Sequence, residues 1–249
     1  MRRLEKLARL LFPYGSVRSV LTGPVRGARY VVEPGMGVSY AVGFERRLLS
    51  FLGSRIRSGM TVYDVGANRG QMALFFARTV GPSGRVVSFE PAPPTYASLR
   101  RNVSLNGVAN VDARNVAVGD SDGWAAFHFE SDRPTEGYLT SARRDLGGAA
   151  SFVVQVRCLD SLLSEGSPPP DVIKIDVEGA APGVLRGARR LIARHGPSVY
   201  IELHSPEEQA AIRDELGARG YVIESLDGRR VNDPTVAWVS PLWCHRPRE

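Results

Sequence analysis

Lysine is nearly absent from this chain. Of its 32 basic residues only Lys6 and Lys174 are lysines, and arginine supplies the rest. The arginines are scattered singly and in pairs such as Arg46-Arg47, Arg143-Arg144 and Arg189-Arg190, with no dense basic stretch. A phosphate-binding surface concentrates its cations, so the net charge of +6 is read as composition and no nucleic-acid partner is expected. Cysteine is equally scarce. Cys158 and Cys244 stand far apart and in no metal-ligand spacing, which excludes a disulfide framework and fits a reducing compartment. A cytoplasmic location is the expectation. Long apolar runs are missing too: nothing approaches the ~18–20 residues that span a bilayer, so no stable membrane insertion is expected.

What the chain does have is enough length and apolar content, 249 residues at 43% hydrophobic, to bury a substantial core. The first twelve residues interleave charge with leucine, unlike a secretory signal. Leu4, Leu7, Leu10 and Leu11 share one helical face, with Arg2, Arg3, Lys6 and Arg9 off it. Such a helix docks on its own domain or on a second subunit, a route to a homo-oligomer, or lies on a membrane surface. Residues 1–57 are accordingly expected to form an appendage of amphipathic helix, short strands and a leading helix, and residues 58–249 the main domain.

From about Arg55 short β-branched runs alternate with helical patterns, the signature of repeated βα units and a parallel sheet. Strands are predicted at Thr61–Asp64, Arg85–Glu90, Val111–Val116, Asp171–Asp176 and Ser198–Leu203. Helices are predicted over Gln71–Val80, from Pro91–Pro94 to about Asn106, over Pro182–Arg194 and over Pro206–Arg219. Trp124–Phe129 and Phe152–Val156 read as an added strand pair around a Gly-rich loop. Tyr221–Ser225 and Thr235–Val239 are joined by too few residues for a crossover helix, so that last pair reads as antiparallel. The fold class is therefore α/β, a Rossmann-like, mostly parallel seven-stranded sheet ending in an antiparallel hairpin. An ordinary dinucleotide-binding fold would continue with another crossover.

Asp64-Val-Gly-Ala-Asn-Arg-Gly70 joins a strand to a helix. Gly66 and Gly70 permit a sharp turn and a close approach to a ligand, Ala67 and Asn68 lie between them, and the helix start offers unpaired N–H groups. The spacing is G-x-x-x-G, with an acid two residues ahead. Asp64 would repel a pyrophosphate and attract the ammonium of an amino-acid moiety, which favours S-adenosylmethionine over a nicotinamide cofactor; a helix-capping acid is the plainer reading. Glu90, closing the second strand, suits a ribose diol of either cofactor. Asn115 and Ala117, at the end of the third strand, are placed to meet an adenine, although Asn115 also suits a simple turn.

Tyr63-Asp-Val-Gly-Ala-Asn-Arg-Gly70, Phe89-Glu-Pro91, Leu159-Asp160 and Ile173-Lys-Ile-Asp-Val-Glu-Gly-Ala180, in this order, resemble the FkbM-type methyltransferases. Tyr40-Ala-Val-Gly-Phe-Glu45 is similar to the segment that leads into that family's first core helix. The resemblance spans some two-thirds of the chain. It implies a class I methyltransferase fold, S-adenosylmethionine as donor, and O-methylation of a hydroxyl on a sugar or secondary metabolite, hence a small-molecule or glycan acceptor. Ala181 departs from the pattern, because many members carry an acid there.

Methyl transfer to oxygen asks the protein to align a hydroxyl and remove its proton. Asp176, Glu178, Glu202 and His204 are expected at the rim beyond the strand ends. Asp176 would orient the acceptor or hold the amino-acid part of the donor; Glu178 would do the same or cap the next helix. Glu202 and His204, two apart on one strand, should point the same way. His204 has the ordinary pKa of a base at neutral pH, or else caps the helix starting near Pro206. Tyr138, Arg143 and Arg144, in the Asp132–Ser151 loop, either meet the acceptor or are plain loop residues. No dedicated metal spacing is present, and no metal is expected. A different acceptor atom, a nicotinamide-dependent oxidoreductase and a catalytically silent cofactor-binding module are the competing readings.

Overall fold

The computed structural model describes residues 12–34, 45–129, 137–140, 151–233 and 236–247. The predicted amphipathic helix over the first residues lies outside them, as do Arg143, Arg144 and most of the Asp132–Ser151 loop. Two short antiparallel strands, β1 (Val17–Ser19) and β2 (Arg29–Val31), precede helix α1 (Arg46–Gly53). The βα units follow as β3 (Thr61–Val65), α2 (Gln71–Val80), β4 (Arg85–Phe89), α3 (Pro93–Leu105) and β5 (Val111–Arg114). Next come β6 (Ala117–Val118), β7 (Gly123–Phe129), β8 (Gly137–Thr140) and β9 (Ser151–Arg157), which form a separate sheet in the order β6-β9-β7-β8. The chain then returns through α4 (Leu159–Ser164), β10 (Val172–Ile175), α5 (Ala181–Arg186), α6 (Arg189–His195), β11 (Ser198–Ile201), α7 (Pro206–Gly217), β12 (Val222–Ser225) and β13 (Leu242–His245).

The main sheet has seven strands in the order β5-β4-β3-β10-β11-β13-β12, parallel except for β13, which runs antiparallel to both neighbours. The strand order reverses between β3 and β10, so a crevice opens beyond their carboxyl ends. Helices cover both faces, and the strands read as continuous apolar runs for that reason. Tyr63 and Val65 of β3 pack with Val184, Leu191 and Ile212 of α5 to α7. Val62, one residue out of phase, packs with Leu49, Leu52 and Phe76 of α1 and α2. Each such side chain, fully buried, contributes ~1.5–3 kcal/mol. The strands β1 and β2 join this second layer through Val20 and Tyr30.

Two expectations need correction. The antiparallel strand is Leu242–His245, not the 235–239 run, and it is inserted between β11 and β12. Its Leu242, Trp243 and Cys244 are all buried, so it lacks the alternation that marks a half-exposed strand, whereas Trp238 in the rejected run is 48% exposed. The helix expected over Pro182–Arg194 is two helices. A Cβ at Gly187 would lie 2.0 Å from the Gly119 carbonyl oxygen, so the chain is pressed against a neighbouring turn there. The second helix is capped from elsewhere: the Asp160 carboxylate accepts from the Arg190 and Leu191 N–H groups at 3.0 and 2.8 Å, which gives the Leu159-Asp160 motif a structural role.

Candidate active site at the strand ends

The turn after β3 is pinned on both sides. Gly66 N and Ala67 N donate to the Phe89 carbonyl at 3.1 and 3.0 Å, tying the turn to the end of β4. Gly66 has φ +78°, and a Cβ there would come 1.9 Å from the Asp176 carbonyl oxygen; only glycine fits. Asn68 also adopts a positive φ, +47°, and its N–H donates to Glu90 Oε2 at 2.9 Å. Gly70 caps α2 at φ +88°, packed on Leu99, so the unpaired N–H groups of the first helical turn open at this rim. Arg69, in the same turn, pairs with Glu33 at 2.8 Å and donates to the Pro34 carbonyl, which latches the N-terminal strands to the turn.

Glu90 is buried at the end of β4. Its Oε1 accepts from Ala92 N at 3.0 Å, so each carboxylate oxygen holds one backbone N–H and keeps a free acceptor position. Burial pushes its pKa up to about 7 against the lowering effect of those two hydrogen bonds. Asn115 braces this corner: its Nδ2 donates to the Glu90 and Pro91 carbonyls at 2.8 and 2.9 Å. Ala117, by contrast, is buried against Ala92, Phe127 and Val154, and its side chain offers no surface to an adenine.

Asp64 stands elsewhere than expected. Its side chain is 0% exposed, and it lies in register with Lys174 on the adjacent strand, so both side chains point to the same layer. The cation it meets is Lys174, whose Nζ lies 3.3 Å away, and not a ligand ammonium. Lys174 Nζ also stands 3.4 Å from Asp176 Oδ2 and donates to the Gly66 carbonyl at 2.8 Å. Burial works to lower the Lys174 pKa, but the two carboxylates outweigh it and hold it above its ordinary value. Asp176 is the converse. Burial works to raise its pKa, while Lys174 and His204 together hold it below the usual range.

His204 sits between two acids, its Nδ1 3.1 Å from Glu178 Oε2 and its Nε2 3.6 Å from Asp176 Oδ1. It does not cap α7. Ser205 does, accepting from Glu208 N, while Glu208 Oε2 accepts from His204 N at 2.6 Å. Neither does Glu178 cap a helix, because α5, with Ala180 at its N-cap, has no side-chain cap. The pairing with Asp176, opposed by burial and reinforced by Glu178, raises the His204 pKa to about 9. The imidazole is therefore cationic at neutral pH, unlike the ordinary histidine that the sequence suggested.

Strand β11 ends at Ile201, so strand alternation does not govern Glu202 and His204, yet both reach Asp176 electrostatically. Tyr200 OH donates to Glu202 Oε2 at 3.5 Å. Burial, then Asp176 and Glu45, raise the Glu202 pKa. Glu45, which leads into α1 with φ +42°, joins the same field: burial and Asp176 raise its own pKa. Among the described residues no group of three or more His, Cys, Asp or Glu is arranged to hold a metal ion, and no helix is long and apolar enough to cross a membrane.

The model of the methyltransferase FkbM domain matches residues 64–223, from the buried acid of β3 through β12. The chain belongs to the FkbM methyltransferase family. Among the relatives of this FkbM protein, 31-O-demethyl-FK506 methyltransferase FkbM of Streptomyces tacrolimicus is 29% identical over 220 residues, covering 77% of this chain and 79% of the relative. Hexuronic acid methyltransferase AglP of Haloferax volcanii is 24% identical over 251 residues, covering 94% and 100%. The crystal structure of methyltransferase FkbM from Methylobacillus flagellatus KT shares the fold with a TM-score of 0.51 at 20% identity, over 83% of this chain and 46% of that one. Of the site residues anticipated in this FkbM chain, the fold brings Asp176, Glu178 and His204 into contact and sets Glu202 beside them. Lys174 and Glu45 were not anticipated. Both lie in stretches that resemble the family, Ile173–Ala180 and Tyr40–Glu45, and strand register adds a signal for Lys174, as a lone cation in an apolar strand beside one holding a lone acid.

Proposed function

We propose that this protein transfers the methyl group of S-adenosylmethionine to a hydroxyl oxygen of a sugar or secondary metabolite. The observation that carries the reading is His204, clamped between Asp176 and Glu178 at the rim that also holds the Gly66 turn and Glu90. The names of the two relatives, one for a demethylated metabolite and one for a hexuronic acid, support an acceptor of this kind.

The residues fit the donor. Glu90 keeps one acceptor position on each oxygen for the two ribose hydroxyls, and the start of α2 suits a carboxylate. When bound, S-adenosylmethionine supplies a methyl group already activated by the sulfonium. The chain must then position the hydroxyl and take its proton. Asp176 and Glu178 fix the ring of His204, and a neutral His204 accepts the hydroxyl proton as the oxygen attacks. The resulting imidazolium is the form those two carboxylates favour.

Incubation with labelled S-adenosylmethionine and a panel of glycans and hydroxylated metabolites should give a labelled methyl ether. Calorimetry should show binding of S-adenosylhomocysteine and none of NAD; the reverse preference would refute the reading. Glu90→Gln should weaken S-adenosylhomocysteine binding by about tenfold or more, because two charge-assisted hydrogen bonds become neutral ones. In the unsubstituted protein the affinity should fall as pH drops below about 7, where Glu90 takes up a proton. Affinity independent of pH between 5.5 and 8 would remove Glu90 from the ribose site.

A further inference from the structure

We propose that Lys174 is a positioning residue: its one ammonium fastens the Gly66 turn to Asp176, so that the cofactor turn and the His204 base are held as a single unit. An ammonium has three donors, and three acceptors surround this one: Gly66 O at 2.8 Å, Asp64 Oδ1 at 3.3 Å and Asp176 Oδ2 at 3.4 Å. They belong to three functions. Gly66 shapes the turn at the cofactor rim, Asp64 is an acid sealed inside the sheet, its pKa raised by burial against the pull of Lys174, and Asp176 presents its other oxygen to His204. The result is an alternating row of acidic and basic groups, Asp64, Lys174, Asp176, His204 and Glu178, running from the buried layer to the rim. Asp64 cannot be paired from solvent, because its side chain is 0% and that of Lys174 4% exposed, whereas Asp176, 38% exposed, opens to the rim. Leucine or isoleucine at this position of β10 would pack well but would leave Asp64 buried without a compensating cation.

Lys174 also restrains the base. It competes with His204 for Asp176, and its positive charge opposes protonation of the imidazole beyond. The other charged groups that face His204 are Glu178 in the turn after β10, Glu202 at the end of β11 and Glu208 on α7. Glu45, ahead of α1, acts on Asp176 and Glu202. All of these are acids; burial opposes them at His204, and Lys174, on the far side of Asp176, adds a positive charge to that side of the balance.

The proposal concerns how His204 is held, and its consequence for rate rests on His204 being the base; titrations read without turnover separate the two. With only two lysines in the chain, labelling lysine with ¹⁵N gives two side-chain signals. The Lys174 ammonium should exchange slowly with solvent and shift along the same curve that the His204 ring protons trace, with a midpoint near 9. In His204→Ala that step should vanish. A Lys174 signal that exchanges freely, or ignores His204, would overturn the proposal. A second measurement uses Asp64→Asn/Lys174→Gln, which removes both buried charges together. If it folds, His204 should bind its proton at least about threefold more tightly, because the nearer of the two removed charges is the positive one. A folded double variant with an unmoved His204 midpoint would also overturn it.

Discussion

His204→Ala is expected to slow methyl transfer roughly 10²–10⁴-fold, with little change in affinity for S-adenosylhomocysteine. A hydroxyl is too weak an acid to lose its proton ahead of attack at neutral pH, so its removal accompanies the transfer. The pH profile should carry the signature of the two acids beside the ring. Only neutral His204 accepts a proton, and Asp176 and Glu178 raise its pKa to about 9. The rate should therefore climb with pH, close to tenfold per unit below 8, and level off above about 9. In His204→Ala this limb should be gone. The same shift bears on stability, with the sign fixed by the raised pKa. The favourable pairing of the imidazolium is complete below about 6.5, the unfolded value, and is lost as pH rises through about 9. The stability that His204 contributes and the activity it supports should thus lie on opposite sides of that midpoint. If His204→Ala retains most of its activity with the limb intact, the base is Glu202, whose own pKa is raised by burial.

The parallel strands were legible because burial on both faces writes them as apolar runs, and the turn at Gly66 because its backbone tolerates no side chain. Asp176, Glu178 and His204 were legible as neighbours because residues at the carboxyl ends of adjacent strands share a rim whatever the details of packing. What could not be read was how the acids are neutralised. Asp64 pairs with Lys174 through the register of β3 and β10, a non-local alignment, and its side chain is fully buried there. The same kind of limit hid the His204 pKa. The unperturbed value belongs to a solitary imidazole, and the two carboxylates that raise it come from a turn 26–28 residues earlier in the chain. Helix α6 likewise begins where Asp160 supplies a cap across space, so periodicity alone ran two helices together. Strand β13 was misplaced for the opposite reason, since complete burial of Leu242–Cys244 leaves no alternation to see.

Among the described glycines Gly66 is expected to tolerate alanine least, and the size of the Gly66→Ala effect can be argued from two separable costs. The first is backbone: at φ +78° an alanine sits in the left-handed region, at about 1–2 kcal/mol. The second is contact. The added methyl would fall 1.9 Å from the Asp176 carbonyl oxygen and 3.2 Å from Val177 Cγ1, so either the turn or the end of β10 must move. Forcing a methyl into a packed site costs about 1–3 kcal/mol. Together these are roughly 2–5 kcal/mol against a total stability of about 5–15, enough to lower Tm by roughly 5–20 °C for a domain of this size. Gly107→Ala is the control for the first cost alone, since Gly107 has φ +63° and nothing within 4 Å of its added methyl; Tm should fall there by only a few degrees. The functional loss should exceed the loss of stability. Moving the turn displaces the Gly66 carbonyl from Lys174 and the Asn68 N–H from Glu90, and moving β10 displaces Asp176 from His204. A displacement near 1 Å is worth about 10²-fold in rate, measured well below the variant's Tm so that unfolding does not contribute. A Gly66→Ala protein that melts with Gly107→Ala and turns over like the unsubstituted enzyme would mean that the close approach of this turn to Asp176 is dispensable.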